Sequence, residues 1–141
     1  MNHSRTSKHI VSILICSRGR RLALEALVSS LLNMKTGYPF EVVVVEETNE
    51  SKPIRGVQYV SHPIADRGIP HARNLALAHA KGEIIVFLDD DCIIHAGWLD
   101  HLLAPFRDDS VVGVQGGVTV PPGTNAPVSY THLTLPTNRE V

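Results

Sequence analysis

Three consecutive carboxylates, Asp89, Asp90 and Asp91, follow directly on the apolar run Ile84-Ile85-Val86-Phe87-Leu88. Like charges this close repel one another, and burial would worsen the repulsion. A solvated turn with Asp91 capping a following helix accounts for one aspartate but fits three badly. Two other apolar runs also end in polar groups. Ser17, Arg18 and Gly19 follow "HIVSILIC", and Glu46 and Glu47 close "FEVVVVEE". If the three runs are parallel strands of one sheet, their carboxyl ends open on a single crevice, where ligands bind in such sheets. An all-oxygen cluster there suits a hard divalent cation, magnesium or manganese, of the kind that bridges carboxylates to substrate phosphates. Arg18, Arg67 and Arg73 are candidates to face phosphate, although a lone arginine is more often a surface residue. The eight histidines are scattered, and His95 and His101 lack a ligand spacing.

The elements that must position these residues are legible in the pattern. His9–Cys16 is apolar on both faces, as a buried parallel strand should be, and Phe40–Glu47 reads the same way. "GVQYVS" is a shorter strand, "EIIVFL" the central one, and "SVVGVQGGVTV" a last strand bent at its glycines. In "RLALEALVSSLL", Leu24, Leu27, Val28 and Leu31 recur at helical spacing. "IPHARNLALAHAKG" predicts a helix with Pro70 in its first turn and Gly82 just past its end. "GWLDHLLAPF" predicts a short helix whose Trp98 and Leu99 pack beneath the aspartate loop. Strands alternating with helices imply an α/β fold with a mostly parallel, Rossmann-like sheet flanked by helices.

The 141 residues are 43% hydrophobic and 19% charged, which fits one globular domain. A net charge of −1 argues against a nucleic-acid partner, whose footprint would be a basic excess. Cys16 and Cys92 form neither a metal motif nor a disulfide framework, and free thiols fit a reducing compartment. No stretch approaches the ~18 apolar residues of a membrane span. The expected location is cytoplasmic, with peripheral attachment to a membrane left open.

Residues 128–141 break the pattern. "VSYTHLTLPT" (Val128–Thr137) back-translates without a break into a sequence resembling a transposase-type library adapter. The expected organisation is therefore a first part over residues 1–127, to which the resemblance described next assigns nucleotide-sugar binding, and a non-native tail over 128–141.

That first part rests on a resemblance. "VSILICSRGRRLALEALVSSLL", "FEVVVVEE", "RGIPHARNLALAHAKGEIIVFLDDDC" and "AGWLDHLLAPF" occur in the order found in family 2 glycosyltransferases of the GT-A fold. The most specific pieces, "ARN" and then "KGEIIVFLDDD", resemble that family's Ala-Arg-Asn helix and DXD motif. The likeness spans roughly Ile10 to Val120. It implies metal-assisted transfer of a sugar from a nucleotide-diphosphate donor to an acceptor hydroxyl, with inversion, the acceptor being a saccharide, lipid or protein. Carried over by position, Asp91 holds the cation, Asp89 contacts the donor ribose or the metal shell, and the middle residue, Asp90, contributes less. Ser17 and Arg18 lie where the first-strand loop wraps the nucleotide. Glu46 stands where the family usually has an aspartate on the base or ribose. Arg67 or Arg73 lies near the diphosphate, Arg73 either facing the donor or anchoring its helix. The family's catalytic base belongs to an acceptor half beyond the last strand, so this chain, a fragment on this reading, is expected to bind donor without transferring sugar.

Two other readings share the acid cluster. A nucleotidyltransferase would carry a glycine-rich basic loop after the first strand, and "SRGRR" supplies one glycine and three arginines. A receiver-like magnesium-binding module needs a phosphorylatable aspartate at another strand end, where "FEVVVVEE" offers glutamate. A dinucleotide-binding oxidoreductase is excluded sooner, because no G-x-G-x-x-G follows the first strand.

Overall fold

The computed structural model describes residues 11–120, 122 and 123. Four strands, β1 (Val11–Ser17), β2 (Phe40–Glu47), β3 (Gln58–His62) and β4 (Ile84–Asp89), form one sheet. The helices are α1 (Arg21–Leu32), α2 (Gly68–His79) and α3 (Trp98–Leu103), the last continued by a 3₁₀ turn over Ala104–Arg107. All pairings are parallel and the strand order is β3-β2-β1-β4. The α/β class expected from the alternation is therefore the observed one.

Alternation along each strand sorts the side chains onto two faces. Val11, Ile13 and Ile15 of β1, with Val42 and Val44 of β2 and Val86 of β4, pack against Leu24, Leu27, Val28 and Leu31 of α1 and Leu99 and Leu103 of α3. Leu14, Val43 and Val45 face the other way, onto Ala72 and Ala76 of α2. The four α1 residues singled out by their spacing are the four that α1 buries. Each fully buried leucine or valine of this kind contributes about 1.5–3 kcal/mol. Trp98 joins the first cluster, its indole N–H donating to Met34 Sδ at 3.0 Å.

Several boundaries differ from expectation. β1 and β2, each paired on both sides, are the central strands, whereas β4 lies at the edge among the described residues, with Phe87 exposed. β3 begins two residues later than the expected Gly56, and residues 9 and 10 lie outside the described residues. Residues 111–120 form no strand. Val112 and Val118 are exposed there, the run carries three glycines, and a ladder needs a neighbour that these residues lack among those described. Gly82 does not cap α2, which ends at His79. A Cβ at Gly82 would lie 2.6 Å from the Ser12 backbone nitrogen and 2.8 Å from the Val11 carbonyl carbon, so glycine lets β4 begin against β1. The segment 128–141 lies outside the described residues.

Candidate functional site

Because β1, β2 and β4 run parallel and in register, Ser17 sits opposite Glu46, and Cys16 opposite Asp89. The strand ends and α2 border a cavity of about 450 Å³. Ser17, Arg18, Arg20, Glu47, Arg73 and the three aspartates Asp89, Asp90 and Asp91 all line it. Six residues expected at the site are thus brought together: Ser17, Arg18, Arg73, Asp89, Asp90 and Asp91. Arg67 occupies the N-cap of α2 and is not among the described residues lining the cavity. A second cavity of about 330 Å³, between α3 and residues 114–117, is lined by no carboxylate.

The aspartates divide by environment. Asp90 is buried, accepts a 2.8 Å hydrogen bond from Ser17 Oγ through Oδ2, and has Arg20 Nη1 at 3.3 Å from Oδ1. With both oxygens engaged, Asp90 ties the end of β4 to the end of β1. Asp89 and Asp91 keep 78% and 60% of their side-chain surface exposed. Arg73 Nη2 lies 3.9 Å from Asp89 Oδ1, and its guanidinium stands over the Phe87 ring at 5.3 Å. Arg18 Nη1 donates to Asp66 at 2.9 Å and lies 3.7 Å from Glu47, so it links the β3–α2 loop to the ends of β1 and β2. Glu47 also accepts the Ala65 backbone N–H at 3.0 Å.

Neither glutamate is a solvated loop start, for both are buried. As neighbours on a strand they point to opposite faces. Glu47 reaches the cavity. Glu46 turns towards α1, where Arg21 Nη1 donates to it at 2.7 Å and the Tyr59 hydroxyl also donates. Burial, and then the bond to Glu46, push the Tyr59 hydroxyl above its ordinary range. Arg21 is further bonded to Glu25 at 2.6 Å and to the Lys52 carbonyl at 2.7 Å.

Sequence reasoning missed Arg20, Arg21, Tyr59 and Asp66. Arg20 and Arg21 stood in view within "SRGRR", but which arginine meets which acid depends on the turn into α1. Tyr59 meets Glu46 and Asp66 meets Arg18 only through strand pairing and the course of the β3–α2 loop, and Asp66 sits at φ 49, outside any periodic pattern. The Cys16 thiol is pushed up, chiefly by burial, which disfavours a nucleophilic thiolate.

The donor set bears on a cation. Among the described residues no three histidine, cysteine or acidic side chains converge to cage one. Two exposed carboxylates on a cavity that three arginines also line fit a hard cation that takes its remaining oxygens from water and phosphate. The residues present therefore fit a cation shared with a diphosphate and not a protein-only site.

Comparison with known proteins agrees with this geometry. The family model described as Glycosyl transferase family 2 matches residues 12–139. Chondroitin synthase of Pasteurella multocida is 29% identical over 115 residues, covering 75% of this chain and 12% of that protein. Pre-mycofactocin glycosyltransferase of Mycobacterium tuberculosis is 31% identical over 109 residues, covering 72% of this chain and 22% of that protein. The chain thus spans less than a quarter of either relative's length. In fold it is similar to the crystal structure of S. aureus TarS 1-349, with a TM-score of 0.58 and 24% identity over 71% of this chain and 32% of that one. With the parallel sheet, the acids gathered at its strand ends and a family match over nearly the whole chain, this chain belongs to glycosyl transferase family 2.

Proposed function

We propose that the cavity at the ends of β1, β2 and β4 holds the diphosphate of a nucleotide-sugar donor, and that the protein transfers that sugar to an acceptor hydroxyl with inversion. One observation carries the reading. Two exposed carboxylates, Asp89 and Asp91, share a cavity with Ser17 and the guanidinium groups of Arg18, Arg20 and Arg73.

In this reading Asp91 holds the cation and Asp89 contacts the donor ribose or completes the metal shell. Asp90 fixes the loop that presents both. Arg73, loosely paired and half exposed, donates to phosphate oxygens in a planar fork that lysine lacks. Ser17 and Arg18 close on the nucleotide from β1. Glu47 is the acid of β2 that reaches the donor, and Glu46 acts behind it by holding Arg21 and Tyr59. Arg67 lies further off, at the start of α2. The family depends in general on a divalent cation; magnesium or manganese is proposed here. When bound, it supplies Lewis-acid stabilisation of charge developing on the diphosphate. The base that deprotonates the acceptor is assigned to none of the described residues, which form the donor side. The acceptor hydroxyl belongs to a saccharide, a lipid or a protein.

No helix among the described residues is long and apolar enough to cross a membrane. We place the protein in the cytoplasm, where its free thiols stay reduced.

Calorimetric titration of the chain with a panel of nucleoside diphosphates, with manganese and then with excess chelator, tests the reading. The expected result is saturable binding of at least one diphosphate that the chelator weakens. Flat titrations across the panel would overturn it.

A further inference from the structure

Arg20 occupies the N-cap position of α1, yet its side chain makes no capping bond to that helix. It reaches instead to the end of β4. There one nitrogen, Nη1, lies 3.3 Å from Asp90 Oδ1 and 2.9 Å from Asp91 Oδ2. That cationic nitrogen occupies an oxygen of Asp91, the carboxylate assigned above to the divalent cation.

The two halves of this contact differ. Asp90 is buried and also held by Ser17, so its place is fixed whether or not Arg20 stays. Asp91 and Arg20 are both more than half exposed, and Arg20 is the partner that Asp91 has among the described residues. An ion pair so exposed to water is weak, and a divalent cation can displace it. Arg20 lines the same cavity, so a guanidinium released from Asp91 remains beside the space assigned to phosphate.

We propose that Arg20 is a tethered counter-cation that competes with the divalent cation for Asp91 and, once displaced, binds the donor's phosphate. The inference rests on the donor-site reading above. While Arg20 lies on Asp91 it offsets the mutual repulsion of the aspartates and lowers affinity for a cation arriving alone. A diphosphate gives the displaced guanidinium a new partner, so cation and diphosphate bind better together than separately.

Manganese alone is the probe, its free concentration followed by electron paramagnetic resonance during titration of the full chain. The variants are Arg20→Gln, Arg20→Lys, Asp91→Asn and the Arg20→Gln/Asp91→Asn double variant. Glutamine removes the charge but still offers Asp90 an N–H, which favours folding; circular dichroism checks this, and Arg20→Lys supplies a second, charged comparison.

Arg20→Gln is expected to tighten manganese binding about two- to fivefold, the factor equivalent to losing an exposed ion pair. Arg20→Lys should stay near the parent. In the Asp91→Asn background, Arg20→Gln should change nothing, and in the single variant the enhancement of manganese binding by a nucleoside diphosphate should shrink. Unchanged or weaker manganese binding in Arg20→Gln overturns the inference. So does an equal tightening that persists with Asp91→Asn, because that would be a general charge effect. If Asp91→Asn leaves manganese binding intact in every background, the donor-site reading fails as well. If Asp91→Asn abolishes binding while Arg20→Gln fails to tighten it, only the role of Arg20 fails.

Discussion

Asp90 differs from the aspartates on either side because its carboxylate is buried with both oxygens occupied. Removing it leaves Ser17 Oγ without its acceptor in a closed environment, where an unmade hydrogen bond costs about 1–3 kcal/mol. Asp90→Ala should therefore lower unfolding stability by roughly that amount, while Asp89→Ala stays within about 0.5 kcal/mol; urea unfolding of the two variants separates them. The reading of the motif by position gave Asp90 the lesser part, because sequence spacing cannot show which of three adjacent acids turns inward. That the three acids gather beside one cavity was legible, since three charges after an apolar strand must open on polar space. Tyr59 supplies a second test. Burial and its bond to Glu46 hold its hydroxyl above the ordinary value of 10.0. The folded chain thus keeps a proton that the unfolded chain has begun to lose. Stability must fall as pH rises from about 10 through the folded value. Melting temperatures measured across that range should decline in the parent, and Tyr59→Phe should flatten part of the decline.

At the scale of elements, α1 was legible to the residue, because Leu24, Leu27, Val28 and Leu31 write one apolar face onto a sheet that must be covered. β2 was legible for the same reason, its valines filling both faces. Residues 111–120 misled because β-branched side chains signal fitness for a ladder and not the presence of a partner. Gly82 misled in another way. It stands near a helix end, where glycine commonly caps, but its requirement comes from β1. Gly82→Ala would force a methyl group against the Ser12 and Val11 backbone, and it would strain the Gly82 N–H bond to Ser12 Oγ, 2.8 Å long. A loss of about 1–3 kcal/mol is expected from such overpacking, read as a lower urea midpoint; a neutral effect would mean that β4 shifts freely against β1.

At the scale of the whole molecule, parallel strands with ends in register do what no single motif can, bringing Ser17, Glu47 and Asp89–Asp91 to one rim. The arginines on that rim come from the β1–α1 turn and from α2, and each lies near an acid: Arg18 with Asp66, Arg20 with Asp91, Arg73 with Asp89. Three arginines face four carboxylates across the cavity, so the set keeps a net negative charge. The adapter-like reading of residues 128–141 also belongs to this scale. Deleting that segment should leave the melting temperature and nucleoside-diphosphate binding unchanged, whereas a marked loss of either would make it part of the domain that the family match follows to residue 139. The central claim is that Asp91 holds a cation against a donor diphosphate. Its most direct test is calorimetric titration of the parent and Asp91→Asn with a nucleoside diphosphate in the presence of manganese. The account predicts binding at least about 10–100-fold weaker in Asp91→Asn, the loss seen even for residues one step removed from a metal. Equal affinity in the two proteins would contradict it.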